Sequence, residues 1–334
     1  MIGALLLRGG HSAQPWELHT QNVVDAGLLC AGLQPEQALA LVGRVFSLCR
    51  AAHVAASTRA MGLADLSTCS SVATQDEILQ DHALALLVTL PAQLGMPPER
   101  ESLSRVLQNP QAGQDVAREL TGSDTPIATM DGPAFTAWLA SGRTETAAFL
   151  PRLFSRCQAA LEGVGGVVDM PALTPQAVQA WLAHDHTQAG SAMAYDASIW
   201  PDYVAYPVMQ ALVGREGVTP FARLVARLLE LLACLAGRGN ALSGRAGAFQ
   251  AGLGQGVGVA RAARGMLVHA AQLRNGLVTD YQILSPTFWH VARGGLFRQG
   301  ISRLRPGCAK VSVACVLAAF NPCVPVSVEG MHHA

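Results

Sequence analysis

The side chains best suited to thiol or metal chemistry in this 334-residue chain are ten histidines and eight cysteines: Cys30, Cys49, Cys69, Cys157, Cys234, Cys308, Cys315 and Cys323. No two cysteines form a Cys-x-x-Cys pair, so zinc ribbons, thioredoxin-type redox pairs and ferredoxin clusters have no support. Cys49 and His53 stand four apart. A helix running on from Pro35 through Val42, Val45 and Phe46 places both on one face. Taken singly, Cys49 and Cys323 serve equally as small core hydrophobes. In the same way His53 is a hydrogen-bonded core imidazole, Arg264 a loop-anchoring cation and Thr287 a turn or cap residue. His184-Asp185-His186 and His332-His333 read as solvated polar groups rather than ligands. Gly252, Gly254, Gly256 and Gly258 lack the Gly-Lys-Ser/Thr of a phosphate loop and read as a flexible turn. There is no Gly-x-Ser-x-Gly nucleophile elbow.

Helical signals dominate the elements that must carry these residues. Pro35 opens a helix, a second covers residues 76–90 and ends near Pro91, and Thr174-Pro175 and Thr219-Pro220 each pair an N-cap with proline at the first helical position. Residues 97–135 read as surface connection with short helices. Beyond about residue 240 the character changes, and Asn275-Gly276 between apolar-rich runs signals a hairpin. A further helix spans 310–319 and is ended by Asn321-Pro322. The expected fold class is α+β, predominantly helical, with a small C-terminal β element. Residues 1–334 are taken as a single domain, with 30–240 the mainly helical core and 241–334 the hairpin and C-terminal motif. Half of the residues are apolar and only 14% are charged, against roughly 25% in ordinary soluble domains, which supplies ample core and excludes disorder. Lys+Arg 23 balance Asp+Glu 23, against a nucleic-acid or anionic-membrane footprint. No apolar run reaches the ~18 residues of a membrane span, and the apolar start lacks the basic region of a signal peptide. The expectation is a cytoplasmic protein without membrane insertion, its thiols kept reduced.

Four separated segments, in order, resemble one family. Arg44-Val45-Phe46-Ser47-Leu48-Cys49 through His53, followed by Ala56-Ser57-Thr58-Arg59-Ala60, is similar to the first metal-binding motif of nickel–iron hydrogenase large subunits, Arg-x-Cys-Gly-x-Cys-x-x-x-His. Asp81-His82 resembles the Asp-His pair on that family's next helix. Gly256-Val257-Gly258, Ala263-Arg264-Gly265-Met266-Leu267 and His269 resemble its Gly-x-Gly…Pro-Arg-Gly-x-Leu-x-His segment, and Asn275-Gly276, Asp280-Tyr281-Gln282 and Pro286-Thr287-Phe288-Trp289 continue in register. Phe320-Asn321-Pro322-Cys323 is similar to the C-terminal Phe-Asp-Pro-Cys-x-x-Cys-x-x-His. The resemblance implies a shortened large-subunit-like fold.

It also implies what has been lost. Phe46 and Val326 stand where the family has metal-binding cysteines, Ser47 where it has glycine, and Glu329 where it has histidine. Phenyl and isopropyl groups cannot replace soft thiolates, so a stable nickel–iron pair is not expected. The resemblance leaves Cys49 and Cys323 as metal ligands, Arg264 and Thr287 as donors to the cyanides of an iron–dicyanide–carbonyl fragment, and His53 close to the metal. That combination resembles the HupK/HoxV-type hydrogenase accessory proteins. By that resemblance the chain is a non-catalytic maturation scaffold carrying iron with cyanide and carbonyl ligands transiently. Its partners are then the hydrogenase large-subunit precursor and the proteins that deliver the iron fragment. The alternatives are a large subunit with an altered metal site and a metal-free quinone-site subunit as in respiratory complex I. Cys49 and Cys323 are expected to meet in space.

Overall fold

Local end signals set several helix limits in the computed structural model, which describes residues 2–9, 15–63, 67–182, 194–237, 247–252 and 254–329. Helix α1 (Pro35–Val45) starts from Gln34, whose N–H donates to the Gln37 side chain at 3.1 Å, with proline in its first turn. Helix α2 spans Arg50–Ala60 and α3 Ser67–Ala83. Helix α4 (Pro220–Leu235) is capped by Thr219, whose hydroxyl accepts from Ala222 N–H at 3.1 Å. Helix α5 (Lys310–Phe320) ends at Asn321 in the left-handed region, φ 43°. The Pro175–Leu182 helix follows Thr174 as its sequence signal predicts.

One expectation fails for a tertiary reason. The continuous helix through Cys49 is broken at residues 46–49, where Phe46 and Cys49 leave helical dihedrals. Glu77 of α3 accepts the N–H groups of Ala51 and Ala52 at 2.8 and 3.4 Å. That carboxylate satisfies donors that the start of a helix leaves open, so α2 begins afresh at Arg50. The 76–90 helix ends near Pro91 as expected: α3 passes through a π-helical stretch, Leu84–Thr89, into the short Leu90–Gln93 helix. Residues 97–135 do carry short helices, at Arg100–Gln108, Gly113–Thr121 and Gly132–Ser141.

The β structure is larger than the sequence suggests. Strands β1 (Ile2–Arg8) and β2 (Glu17–Val24) pair antiparallel, and β7 (Val326–Val328) lies parallel to β1 with Leu5 opposite Val326. Between them in sequence, β3 (Gly247–Gly252), β4 (Gln255–Ala262), β5 (Gly265–Arg274) and β6 (Leu277–Leu284) form an antiparallel sheet in chain order. The expected hairpin is its last pair, turning at Asn275 (φ 53°) and Gly276 (φ 75°). Gly256 and Gly258 are strand residues rather than a flexible turn. A β-carbon on Gly258 would lie 1.9 Å from the Ala56 carbonyl oxygen, and one on Gly256 2.2 Å from that of Ala60. The alanine-rich face of α2 (Ala52, Ala55, Ala56, Ala60, all buried) is therefore seated directly on β4. No helix among the described residues is long and apolar enough to cross a membrane.

Candidate functional site

Cys49, at the N-cap of α2, and Cys323, three residues past the end of α5, come from opposite ends of the chain and line one cavity. The cavity encloses about 120 Å³, and its wall includes Phe46, Leu48, His53 and Ser285. Burial and the neighbouring Cys323 push the Cys49 thiol up to about 12, against the pull of the Arg264 guanidinium. Cys49 is thus a neutral thiol, and a metal that binds it must displace a proton.

Cys323 is held by its backbone. Its N–H donates to Thr287 Oγ1 at 2.8 Å, and its sulfur lies 3.9 Å from Ser285 Oγ. Ser285 caps the Pro286–Val291 helix through Phe288 N–H, so one short helix start positions both hydroxyls. A hydroxyl that accepts retains a proton to donate, which leaves Thr287 able to serve a second acceptor.

Arg264 sits in the β4–β5 turn with its side chain 8% exposed, and one terminal nitrogen pairs with Asp81 Oδ2 at 2.7 Å. Its Nε and Nη1 are buried without a hydrogen-bond partner. It does not line the cavity itself but acts electrostatically on Cys49. Buried donors on a charged group are costly to leave open. An anionic guest with nitrogen or oxygen acceptors is the chemical species that would satisfy them.

His53 is 2% exposed, with its ring stacked on Phe46 at a 3.9 Å centroid separation and 7° between planes. Its Nδ1 is 2.9 Å from His269 Nε2, His269 Nδ1 is 2.6 Å from the Tyr281 hydroxyl, and Tyr281 donates to Ser57 Oγ at 2.6 Å. Burial lowers His53 to about 3 and carries His269 well below its ordinary value. Both imidazoles are neutral, and the relay fixes the His53 ring against the cavity wall.

Sequence reasoning named Asp81-His82 but missed the other charges behind Arg264. Asp81 also receives Asn321 Nδ2 at 2.9 Å and Arg227 at 3.3 Å. Arg227 reaches His82 Nδ1 at 3.2 Å, and Glu230 lies 2.5 Å from both His82 Nε2 and Arg261. This buried network ties α3, α4 and β4 together behind the site. Its signal was present as Arg223, Arg227 and Glu230, charges at helical spacing in an otherwise apolar segment. His184 to His186 and His332-His333 lie outside the described residues. Among the described residues no group of three or more His, Cys, Asp or Glu side chains is arranged to hold a metal ion.

No protein-family model matches the chain. The hydrogenase expression/formation protein HupK of Rhodobacter capsulatus is 27% identical over 306 residues, covering 92% of this chain and 90% of that one. HoxV of Cupriavidus necator, another hydrogenase expression/formation protein, is 31% identical over 122 residues, 32% of each chain. The Ni-Fe-Se hydrogenase of D. vulgaris Hildenborough has the same fold at a TM-score of 0.57 and 13% identity, over 95% of this chain and 94% of that chain. The chain is similar to the HupK/HoxV-type hydrogenase expression/formation proteins. Its helix-rich α+β architecture is that of the nickel–iron hydrogenase large subunit.

In this chain the residues at the departed motif positions have other work. Phe46 packs on His53. Val326 is a strand residue of β7, and Glu329 pairs with Arg8 at 2.8 Å on the surface. The last motif is thus used to close a sheet around the N-terminal strand.

Proposed function

We propose that the chain is a non-catalytic scaffold in hydrogenase maturation, holding an iron–cyanide–carbonyl fragment transiently and passing it to the large-subunit precursor. The observation that carries this reading is the convergence of Cys49 and Cys323 on one cavity near an arginine with two unpartnered nitrogens. Two sulfurs bind soft iron without completing a four-thiolate cage, which suits a cargo that must leave. The anionic cyanides would take up the Arg264 donors and the Thr287 hydroxyl, while His53 walls the cavity as a neutral group. Seating the cargo releases the Cys49 proton, so loading is favoured as pH rises. Phe46 occupies space beside His53 where a further sulfur would be needed, which leaves no stable place for nickel. Cys49, Cys157, Cys234, Cys308, Cys315 and Cys323 form no disulfide, in keeping with a reducing cytoplasm.

The test is infrared spectroscopy of anaerobically purified protein from cells that build the fragment, a window in which protein itself has essentially no bands. Wild type is expected to show metal-bound cyanide and carbonyl bands, and the Cys49→Ala, Cys323→Ala double variant to lack them and to slow maturation while remaining folded. Full maturation with the double variant, and no bands in wild type, would sink the cargo reading. Nickel at one per chain with hydrogen-dependent dye reduction would instead make the chain an enzyme.

A further inference from the structure

Asn321 joins two parts of the thiol site. It ends α5 in the left-handed region, φ 43°, two residues before Cys323. Its side chain donates from Nδ2 to Asp81 Oδ1 at 2.9 Å, while Arg264 pairs with Asp81 Oδ2 at 2.7 Å. One carboxylate thus links the turn that carries Cys323 to the guanidinium whose Nε and Nη1 are open. The motif that Phe320-Asn321-Pro322-Cys323 resembles has aspartate at this place, one atom different in the side chain.

Charge decides what that atom does. Burial alone would raise the Asp81 carboxyl, but Arg264 and Arg227, with the Asn321 hydrogen bond, hold it below the ordinary value. Asp81 is therefore ionised between two guanidiniums. Glu77, at the start of α2, also feels Arg264 and Asp81, so two cations face two carboxylates behind the thiols. An amide at position 321 adds a donor and no charge. A carboxylate there can only accept. It would stand 2.9 Å from Asp81, tip the balance to a surplus negative charge, and compete with any guest for the open Arg264 nitrogens.

We propose that Asn321 sets the thiol cavity for an anion: as a neutral donor it holds Asp81 in place without adding negative charge, and so leaves Arg264 Nε and Nη1 for an anionic guest. Asn321 is a positioning residue that acts through Asp81 and Arg264 rather than by touching the guest. The identity of the guest rests on the cargo reading, whereas the charge preference is measured with small probes alone.

The probes are iodoacetate and iodoacetamide, similar in size and differing by one negative charge. Each is reacted with the full-length chain at neutral pH and followed at the Cys323 peptide by mass spectrometry, since Cys323 is half-buried and lines the cavity. The ratio of the two rates on one thiol cancels the acidity of that thiol. Asn321→Asp is expected to lower the iodoacetate-to-iodoacetamide ratio about 3- to 10-fold, the effect of one added charge in a partly buried site. Asn321→Gly suits the left-handed backbone and adds no charge, so its ratio should stay at the wild-type level. Adding Asp81→Asn to Asn321→Asp removes the surplus charge and should return the ratio to that level. If Asn321→Asp alone fails to fold while this double variant folds with the wild-type ratio, the same conflict of charge is shown. In cells that build the iron fragment, the cyanide infrared bands should fade in Asn321→Asp and persist in Asn321→Gly. A wild-type ratio in Asn321→Asp overturns the proposal, and so does an equal fall in Asn321→Gly, which makes the role structural. A wild type without cyanide bands, with the ratios as expected, sinks the cargo and leaves the charge setting of the site standing.

Discussion

Arg264 is the side chain whose surroundings are least complete. Its pairing with Asp81 fixes the guanidinium, yet two of its nitrogens, Nε and Nη1, have no acceptor. Asp81 has Arg227 and Asn321 as further partners, so removing Arg264 leaves that carboxylate compensated. Arg264→Ala is therefore expected to keep the fold and to weaken retention of an anionic cargo by about 1.5–3 kcal/mol, the usual range for a charged hydrogen bond. Iron content and infrared band intensity after repeated buffer exchange measure this. Retention equal to wild type would mean that the free donors serve no guest.

At the scale of elements, the seating of α2 on β4 decides where Cys49 lies. Glycine is needed at Gly258 because the Ala56 carbonyl occupies the space of a β-carbon, at 1.9 Å. Gly258→Ala must push the helix off the sheet, an overpacking that typically costs about 1–3 kcal/mol. A lower urea midpoint is expected, together with reduced iron retention, because Cys49 moves with its helix. Gly165→Ala, at a position with nothing within 4 Å and no positive φ, is the control and should leave both unchanged. A Gly258→Ala protein as stable as Gly165→Ala would show that α2 is not held by this contact.

Across the whole molecule, stability depends on histidines buried in the neutral form. Burial lowers His290 from 6.5 to about 4, and His53, His82 and His269 are lowered as well. Between about pH 4 and 6.5 the unfolded chain binds protons that the folded chain does not, so stability falls as pH drops through that window. Asp196 acts in the same direction at lower pH. Burial alone would raise its carboxyl, but Arg223 at 2.7 Å, with His290 and Ser198, holds it below the ordinary value. Its stabilisation is present above the unfolded value and is lost as pH falls through the folded one. Urea midpoints are expected to decline from pH 7.5 to pH 5, with a shallower slope in His290→Phe. Midpoints flat over that range would contradict the neutral burial of these rings.

The sequence by itself determined what short-range chemistry controls. Thr219-Pro220 starts α4, Asn275-Gly276 turns the hairpin and Asn321 stops α5, because each signal depends on the dihedrals and donors of a few neighbouring residues. The ordered motifs also gave the family resemblance, and with it the pairing of Cys49 with Cys323. The rest depends on contacts between distant residues. The break before α2 is set by Glu77, more than twenty residues away, and overrides a helical spacing that looks continuous. The glycines of β4 read as a flexible turn until α2 is laid against them. β1 needs β7 from the far end of the chain, and the unpartnered donors of Arg264 exist only once every nearby acceptor has been placed. Local propensity reaches one turn along the chain, whereas burial and hydrogen-bond satisfaction belong to the assembled core.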